Sequence, residues 1–217
     1  ILVFGATGFI GGDILYALLK EAPNSSNPPW GTIGALTSTP SKAKEIESWA
    51  NSTFPDSASK LKVEVAERSK SNNETFYKSV EQITEQYDLA IQAATSDDLE
   101  LTKAINRGLE KGKQQNGKLG KLIHFSGTQV IESEPVGEYV DVPLYDDSKP
   151  EMIASIPDSA AHRGIDLEID NARVAGKVDA TIICPALVWG KGRGPGGQIS
   201  VQIPDMVRKA IRNGQPV

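Results

Sequence analysis

The sequence predicts an α/β protein: a doubly wound parallel sheet of about six strands in a three-layer α/β/α arrangement. Two observations predict it. Short apolar and β-branched runs alternate along the chain with stretches of helical period, the pattern of parallel strands joined by crossover helices. The first run also passes at once into a glycine-rich turn and then a helical stripe, "ILVF-GATGFIGG", with glycines at Gly5, Gly8 and Gly11.

The runs read as strands are "ILVF" (1–4), "GTIGALT" (31–37), "LKVEVA" (61–66), "DLAIQAA" (88–94), "KLIHFS" (121–126) and "ATIICPAL" (180–187). Between the first two, Ile10, Ile14 and Leu18 share one helical stripe, and "APNSSNPPW" then breaks the chain. Ser96 is expected to cap a helix whose first turn holds Asp97 and Asp98, carboxylates favoured at a positive helix end, with Leu101, Ile105 and Leu109 as its buried face. A later helix carries Ile165, Ile169 and Ala172 and stops at Gly176, a left-handed cap. The last helix is expected to hold Pro204 in its first turn, to turn Val207, Ala210 and Ile211 inward, and to end at Gly214. Two stretches break the regular alternation, roughly 127–160 and 190–200. Long irregular segments on such a scaffold tend to carry function.

The bulk properties narrow the function classes. At 217 residues, 39% of them hydrophobic, the chain buries a real core. A net charge of −5 and a pI near 5.2 argue against a nucleic-acid partner, which would call for a basic face. No apolar run approaches the ~18–20 residues of a membrane span. The single cysteine, Cys184, excludes an internal disulfide and fits a reducing compartment, so a cytoplasmic location is expected. With one cysteine and two histidines, no metal site is expected. The chain starts in mid-pattern without a methionine or a secretory leader and stops at "RNGQPV", which reads as a piece cut at both ends.

The glycine turn is expected to cradle a phosphate, the plain alternative being a turn that holds no ligand. The first glycine permits the tight turn, the second lets backbone approach a pyrophosphate, and the third lets the helix lie close to the strand. Free N–H groups at the helix start favour an anion. The spacing is G-x-x-G-x-x-G, and no G-K-[S/T] follows, so this is not a nucleotide-hydrolase loop.

Three segments carry a resemblance. "GATGFIGG" (5–12), "HFSGT" (124–128) and "CPALVWGKG" (184–192) are similar, in order and spacing, to the dinucleotide loop, the end of strand five and the R-P-x-x-V-Y-G-x-G segment of the short-chain dehydrogenase/reductase superfamily. The likeness is to its extended and atypical branches, which include nucleotide-sugar epimerases and dehydratases and the NmrA-like proteins. It implies a Rossmann-type fold and a cofactor contacted by Gly5, Thr7, Gly8, Phe9, Ile10, Gly11, Ala94, Thr95, Pro185 and Val188. It also implies that residues 1–190 form an NAD(P)-binding domain and that 191–217 begin a C-terminal substrate-binding part. The implied activity is hydride transfer on a small-molecule substrate, as an oxidoreductase or an epimerase- or dehydratase-like enzyme. The alternative is a non-catalytic NAD(P)-sensing regulator of the NmrA-like type. A homodimer fits either.

The second strand ends with Thr37, Ser38 and Thr39 where an NAD site shows an acid, and Lys42 lies just beyond. Hydroxyls and a lysine suit a 2′-phosphate, so NADP is preferred over NAD. A solvated Lys42 in a helix's first turn is the plain alternative.

The superfamily's tyrosine and lysine, spaced Y-x-x-x-K on one helix, have a spelling here in Tyr145 and Lys149. Pro150 pushes Lys149 out of the helical region, so the two would not share a face, and the pair is set aside. Counting back from Pro185, the slots fall near Ser159 and Arg163 on the helix containing "SAAHRGIDLEIDNARVAG". Arg163 is expected to bind ribose, while Ser159, an aliphatic hydroxyl, is too weak an acid to stand in for a phenol. The resemblance aligns Thr128 with the family's catalytic hydroxyl, with Ser126 at the strand end; either would hydrogen-bond a reacting oxygen or simply cap loop backbone. His162 is a helix-start residue or a base, and His124 a packed core residue. Cys184 is expected on the sixth strand, buried and inert. Arg193, in the second irregular stretch, is either solvated or grips an anionic substrate.

Overall fold

The computed structural model describes residues 1–22, 31–69, 73–133, 137–139 and 141–215. Six strands form one parallel sheet: β1 (Leu2–Phe4), β2 (Ile33–Thr37), β3 (Leu61–Val65), β4 (Leu89–Gln92), β5 (Lys121–Phe125) and β6 (Asp179–Ile183). Their order is β3-β2-β1-β4-β5-β6, the doubly wound order whose direction reverses between β1 and β4. Such a reversal opens a crevice beyond the carboxyl ends of the strands, which is where ligands bind in this architecture.

The pleat of β1 assigns the layers. Leu2 and Phe4 point to one face and Val3 to the other, and all three are buried. On the first face they meet α3 (Glu74–Thr84), α4 (Leu99–Asn116) and α6 (Arg163–Val174) through Phe76, Val80, Leu101, Ile105, Leu109 and Ile169. On the second, Val3 packs with α1 (Phe9–Glu21) and α2 (Pro40–Thr53) through Leu15, Leu19, Ile46 and Ala50. Each fully buried Leu or Ile contributes about 1.5–3 kcal/mol, so these two layers hold the sheet. Among the described residues, no helix is long and apolar enough to cross a membrane.

Several local expectations are corrected. The strands are shorter than the apolar runs, and β6 stops at Ile183. Cys184 therefore lies past the strand and is exposed instead of buried. Pro185 cannot donate to a ladder, and β6 is an edge strand with alternate residues exposed. In α1, Ile10, Ile14 and Leu18 are half-buried, whereas Gly11, Leu15 and Leu19 are fully buried. The helix is turned so that Gly11 lies on the strand, because only a residue without a Cβ fits there. α4 is capped by Asp98, whose carboxylate accepts from the Leu101 N–H at 3.0 Å, and not by Ser96.

α6 ends as expected, with Gly176 left-handed at φ 66°. α7 (Gln202–Asn213) ends at the left-handed Gly214, but Val207 and Ile211 are 52% and 75% exposed, so its apolar stripe faces outward. The stretch 127–160 contains a short 3-10 turn (Thr128–Ile131) and one brief helix, α5 (Pro150–Ala154).

Candidate functional site

The glycine turn is built at the switch point. Gly5 has φ +75°, and a Cβ there would lie 2.6 Å from the Ala93 carbonyl oxygen at the end of β4. A Cβ at Gly11 would lie 2.3 Å from the Gly5 carbonyl oxygen. Both positions therefore exclude a side chain, one by conformation and space and the other by space alone. The Gly8 N–H donates to the Gly5 carbonyl at 2.7 Å, closing the turn. The opening N–H groups of α1, from Phe9 onward, have no carbonyl one turn earlier to accept them and point along a dipole that favours an anion.

A cavity of about 790 Å³ lies beside this turn. Gly5, Thr7, Gly8, Thr37, Ser38, Lys42, Ala94 and Thr95 all line it, a set gathered from β1, β2 and β4. Thr37 is buried with its hydroxyl oxygen unpartnered, whereas Thr39 is spent on capping α2, accepting from the Lys42 N–H at 3.3 Å. Gln92 fixes the far wall: its Oε1 accepts from the Ala94 N–H at 2.7 Å and its Nε2 donates to the Thr95 carbonyl at 2.8 Å. The sequence reading missed Arg68, which lines the same cavity. Its guanidinium lies 4.7 Å from the centre of the Phe76 ring and is paired with Asp98. An arginine a few residues past β3 is the signal that marks it.

A second cavity, of about 760 Å³, lies over the ends of β5 and β6. Phe9, Ile10, Ser126, Thr128, His162, Pro185 and Val188 line it. His162 caps the start of α6 in a left-handed conformation, φ 63°, and is the one non-glycine residue with positive φ among the described residues. Its Nδ1 lies 2.6 Å from Asp97 Oδ1. A Cβ on Gly127 would come 2.9 Å from its Nε2, so the ring sits where only a glycine leaves space.

Behind this wall is a buried polar layer. The Ser126 hydroxyl donates to Asp166 Oδ2 at 3.1 Å. Burial raises the Asp166 carboxyl above its ordinary value, against the lowering effects of Ser126, Arg163 and His162. The Cys184 thiol is pushed up as well, by partial burial and then by the Asp166 charge; the residue is open to solvent, but its sulfur faces this layer. His124 is fully buried with both ring nitrogens unpartnered, and burial lowers its pKa to about 4, with a smaller push from His162.

The other catalytic expectations are displaced. Arg163 opens α6 and is buried, donating to the Ile153 carbonyl at 3.2 Å, and it lines neither cavity. Ser159 sits in an exposed turn before α6. The helix begins later than the count from Pro185 predicts, so the pair four apart at its start is His162 and Asp166. Tyr145 and Lys149 lie outside any common helix: Lys149 is the extended N-cap of α5, and its ammonium pairs with Asp146 at 3.3 Å.

The stretch 190–200 folds back over the glycine turn. The Gly197 N–H donates to the Thr7 carbonyl at 3.0 Å, and Gly194 packs directly on Gly12. Arg193 is held by Asp13, with side-chain distances of 2.6 and 3.1 Å and its backbone N–H at 2.9 Å, and its guanidinium lies 4.5 Å from the centre of the Tyr16 ring. That contact holds the Asp13 carboxyl below its ordinary value. The arginine expected to face an anionic substrate is therefore committed to α1 instead.

Fold and site together define a doubly wound α/β unit with a glycine-turn crevice at its switch point. No family model matches the chain. Among curated proteins it is similar to "Oxidase ucsJ" of Acremonium sp, 26% identical over 222 residues, covering 99% of this chain and 57% of that protein. The chain thus spans little more than half the length of that relative. Among solved structures, it is similar to the reductase domain of the aureusimine biosynthetic cluster, at 18% identity and a TM-score of 0.45, covering 98% of this chain and 56% of that one.

Proposed function

We propose that the chain is an NAD(P)-dependent oxidoreductase similar to the atypical and extended short-chain dehydrogenases, with NADP preferred and a small molecule as substrate. The observation that carries the reading is the turn at Gly5 and Gly11, which no side chain can enter, set against a cavity at the switch point. The residues fit such a cofactor. The α1 N-terminus with Thr7 and Gly8 takes the pyrophosphate, and Ser38 and Lys42, just past β2, take the ribose end. Arg68 adds a second cation near that end. When bound, NAD(P) supplies a hydride donor or acceptor. Pro185 and Val188 wall the second cavity, and Ser126 and Thr128 bring hydroxyls to it. The oxidase name of the curated relative supports a redox reaction, although that protein is nearly twice as long.

Titration of the purified protein with NADPH and NADH by fluorescence or calorimetry tests this. NADPH is expected to bind more tightly, and Lys42→Ala is expected to remove most of the difference. Binding of neither dinucleotide sinks the proposal. A dinucleotide sensor is the rival reading, favoured by a second cavity that, among the described residues, is lined by neither tyrosine nor lysine.

A further inference from the structure

Resting on that reading, we propose that His162 exchanges the proton of the reaction through Nε2, positioned by Asp97, taking it from an alcohol in the oxidative direction. The two residues are far apart in sequence and come from different elements, residue 97 from the β4–α4 connection and residue 162 from the start of α6. A carboxylate can only accept, so the proton between Asp97 Oδ1 and His162 Nδ1 belongs to the ring. That selects the tautomer in which Nε2 of the neutral imidazole carries a lone pair. The ring borders the cavity formed with Ser126, Gly127 and Thr128, its Nε2 edge close against Gly127.

Two further features fit this role. The left-handed backbone at residue 162 is uncommon for a residue with a side chain, and such conformations gather at functional sites. The missing Cβ of Gly127 supplies the room the ring needs. The titratable groups that act on the imidazole are Asp97 on its Nδ1 side, Asp166 on α6 and His124 on β5, and Glu132 lines the same cavity. His124, held down to about 4, is neutral at neutral pH and adds no like charge.

Ser126 has one proton and gives it to Asp166, so toward the cavity it can only accept. With the Nε2 lone pair and Ser126 as acceptors, the wall can receive a hydroxyl, and the Thr128 hydroxyl beside them can donate to the carbonyl that forms. In the forward step the substrate O–H proton passes to Nε2. The carbinol C–H bond breaks, its electron pair leaving as hydride to oxidised NAD(P), and a carbonyl product remains. Carbonyl reduction is the reverse and needs His162 protonated.

The chain has two histidines, which makes the test readable. Nitrogen-15 NMR of the ligand-free protein is expected to show His162 as the Nδ1–H tautomer, and Asp97→Asn is expected to mix the two tautomers. Diethyl pyrocarbonate at neutral pH is expected to modify His162 at Nε2 and leave buried His124 untouched, and saturating NADPH should slow that modification at least about tenfold by covering the cavity. His162→Gln should keep NADPH affinity within about threefold. An Nε2–H tautomer, or NADPH binding that leaves the modification rate unchanged, overturns the inference while the cofactor reading stands. Failure of NADPH to bind the wild-type protein sinks the cofactor reading itself, and this inference with it.

Discussion

The two cavities of the crevice are built by different means. The first is made of backbone: a left-handed glycine, a glycine with no room for a Cβ, and the first turn of a helix, all within residues 5–11. The second is walled by side chains that are placed only after folding: His162, held by Asp97 from the side of the first cavity, and Ser126, which donates to Asp166 behind the wall. A backbone site tolerates almost no substitution, because each added atom strikes main chain. A side-chain site tolerates substitutions that keep the backbone, and loses chemistry before it loses stability. The contrast predicts which changes unfold the protein and which only silence it.

The sharpest break is Gly11→Ala. Its Cβ would sit 2.3 Å from a carbonyl oxygen of the facing turn, so α1 must move off β1. We expect a loss of about 1–3 kcal/mol in chemical denaturation, after any gain in helix propensity, together with loss of NADPH binding. Unchanged binding would show that the turn is not the cradle.

Comparable in free energy, but confined to acid conditions, is the sensitivity set by His124. Its folded pKa of about 4 lies below the ordinary 6.5, so the unfolded chain takes up the proton first as pH falls. The stability linked to this group is full above pH 6.5 and is lost progressively toward pH 4, by about 3 kcal/mol at most. Asp166, raised by burial, works in the opposite sense, its share of stability declining as pH rises from its ordinary value toward its folded one. Subtracting the denaturation profile of His124→Leu from that of the wild type isolates the histidine. A difference that is flat between pH 4 and 6.5 would place His124 in a wetter setting than its burial indicates.

Residue 162 offers a paired test. Asparagine accepts a left-handed backbone and valine does not, so His162→Asn is expected to melt close to the wild type and His162→Val to lose about 1–3 kcal/mol. Both should abolish modification at this position. Equal melting of the two variants would mean that the backbone there is not held left-handed.

The smallest effect is expected from Asp13→Asn, which weakens an exposed pair. Tm should stay unchanged while proteolysis within 190–200 quickens. If cleavage does not change, the backbone contacts of Gly194 and Gly197 hold that stretch unaided.

The same division explains what the sequence disclosed. Six strands in alternation and the glycine turn are legible, because each depends on local spacing, whereas residues 37, 38, 42, 94 and 95 come to line one cavity through the order of the strands. The stripes of α4 and α6 are legible and that of α1 is to within one residue, since which face of α1 is buried depends on how Gly11 meets Gly5, a tertiary contact; the stripe of α7 faces outward instead of inward. His162 was visible as a candidate, but its partner was read as an ordinary first-turn carboxylate, since nothing in the spacing ties residue 97 to residue 162. Arg163 and Arg193 were misread for one reason: a long cation takes whatever acceptor folding brings near it, here a carbonyl on α5 and a carboxylate on α1. Cys184 was misplaced because an apolar run continues past the last residue that the sheet pairs.

The seam between the glycine-rich stretch and the opening turn bears on how the molecule is made. Arg193 and Asp13 are 180 residues apart in the chain. The turn leaves the ribosome some 180 residues before the piece that closes over it. Contacts this distant in sequence form late and slow a fold's completion. The nascent protein therefore carries its most demanding backbone site open throughout that interval, and the site becomes whole only when the loop that buckles over it has emerged.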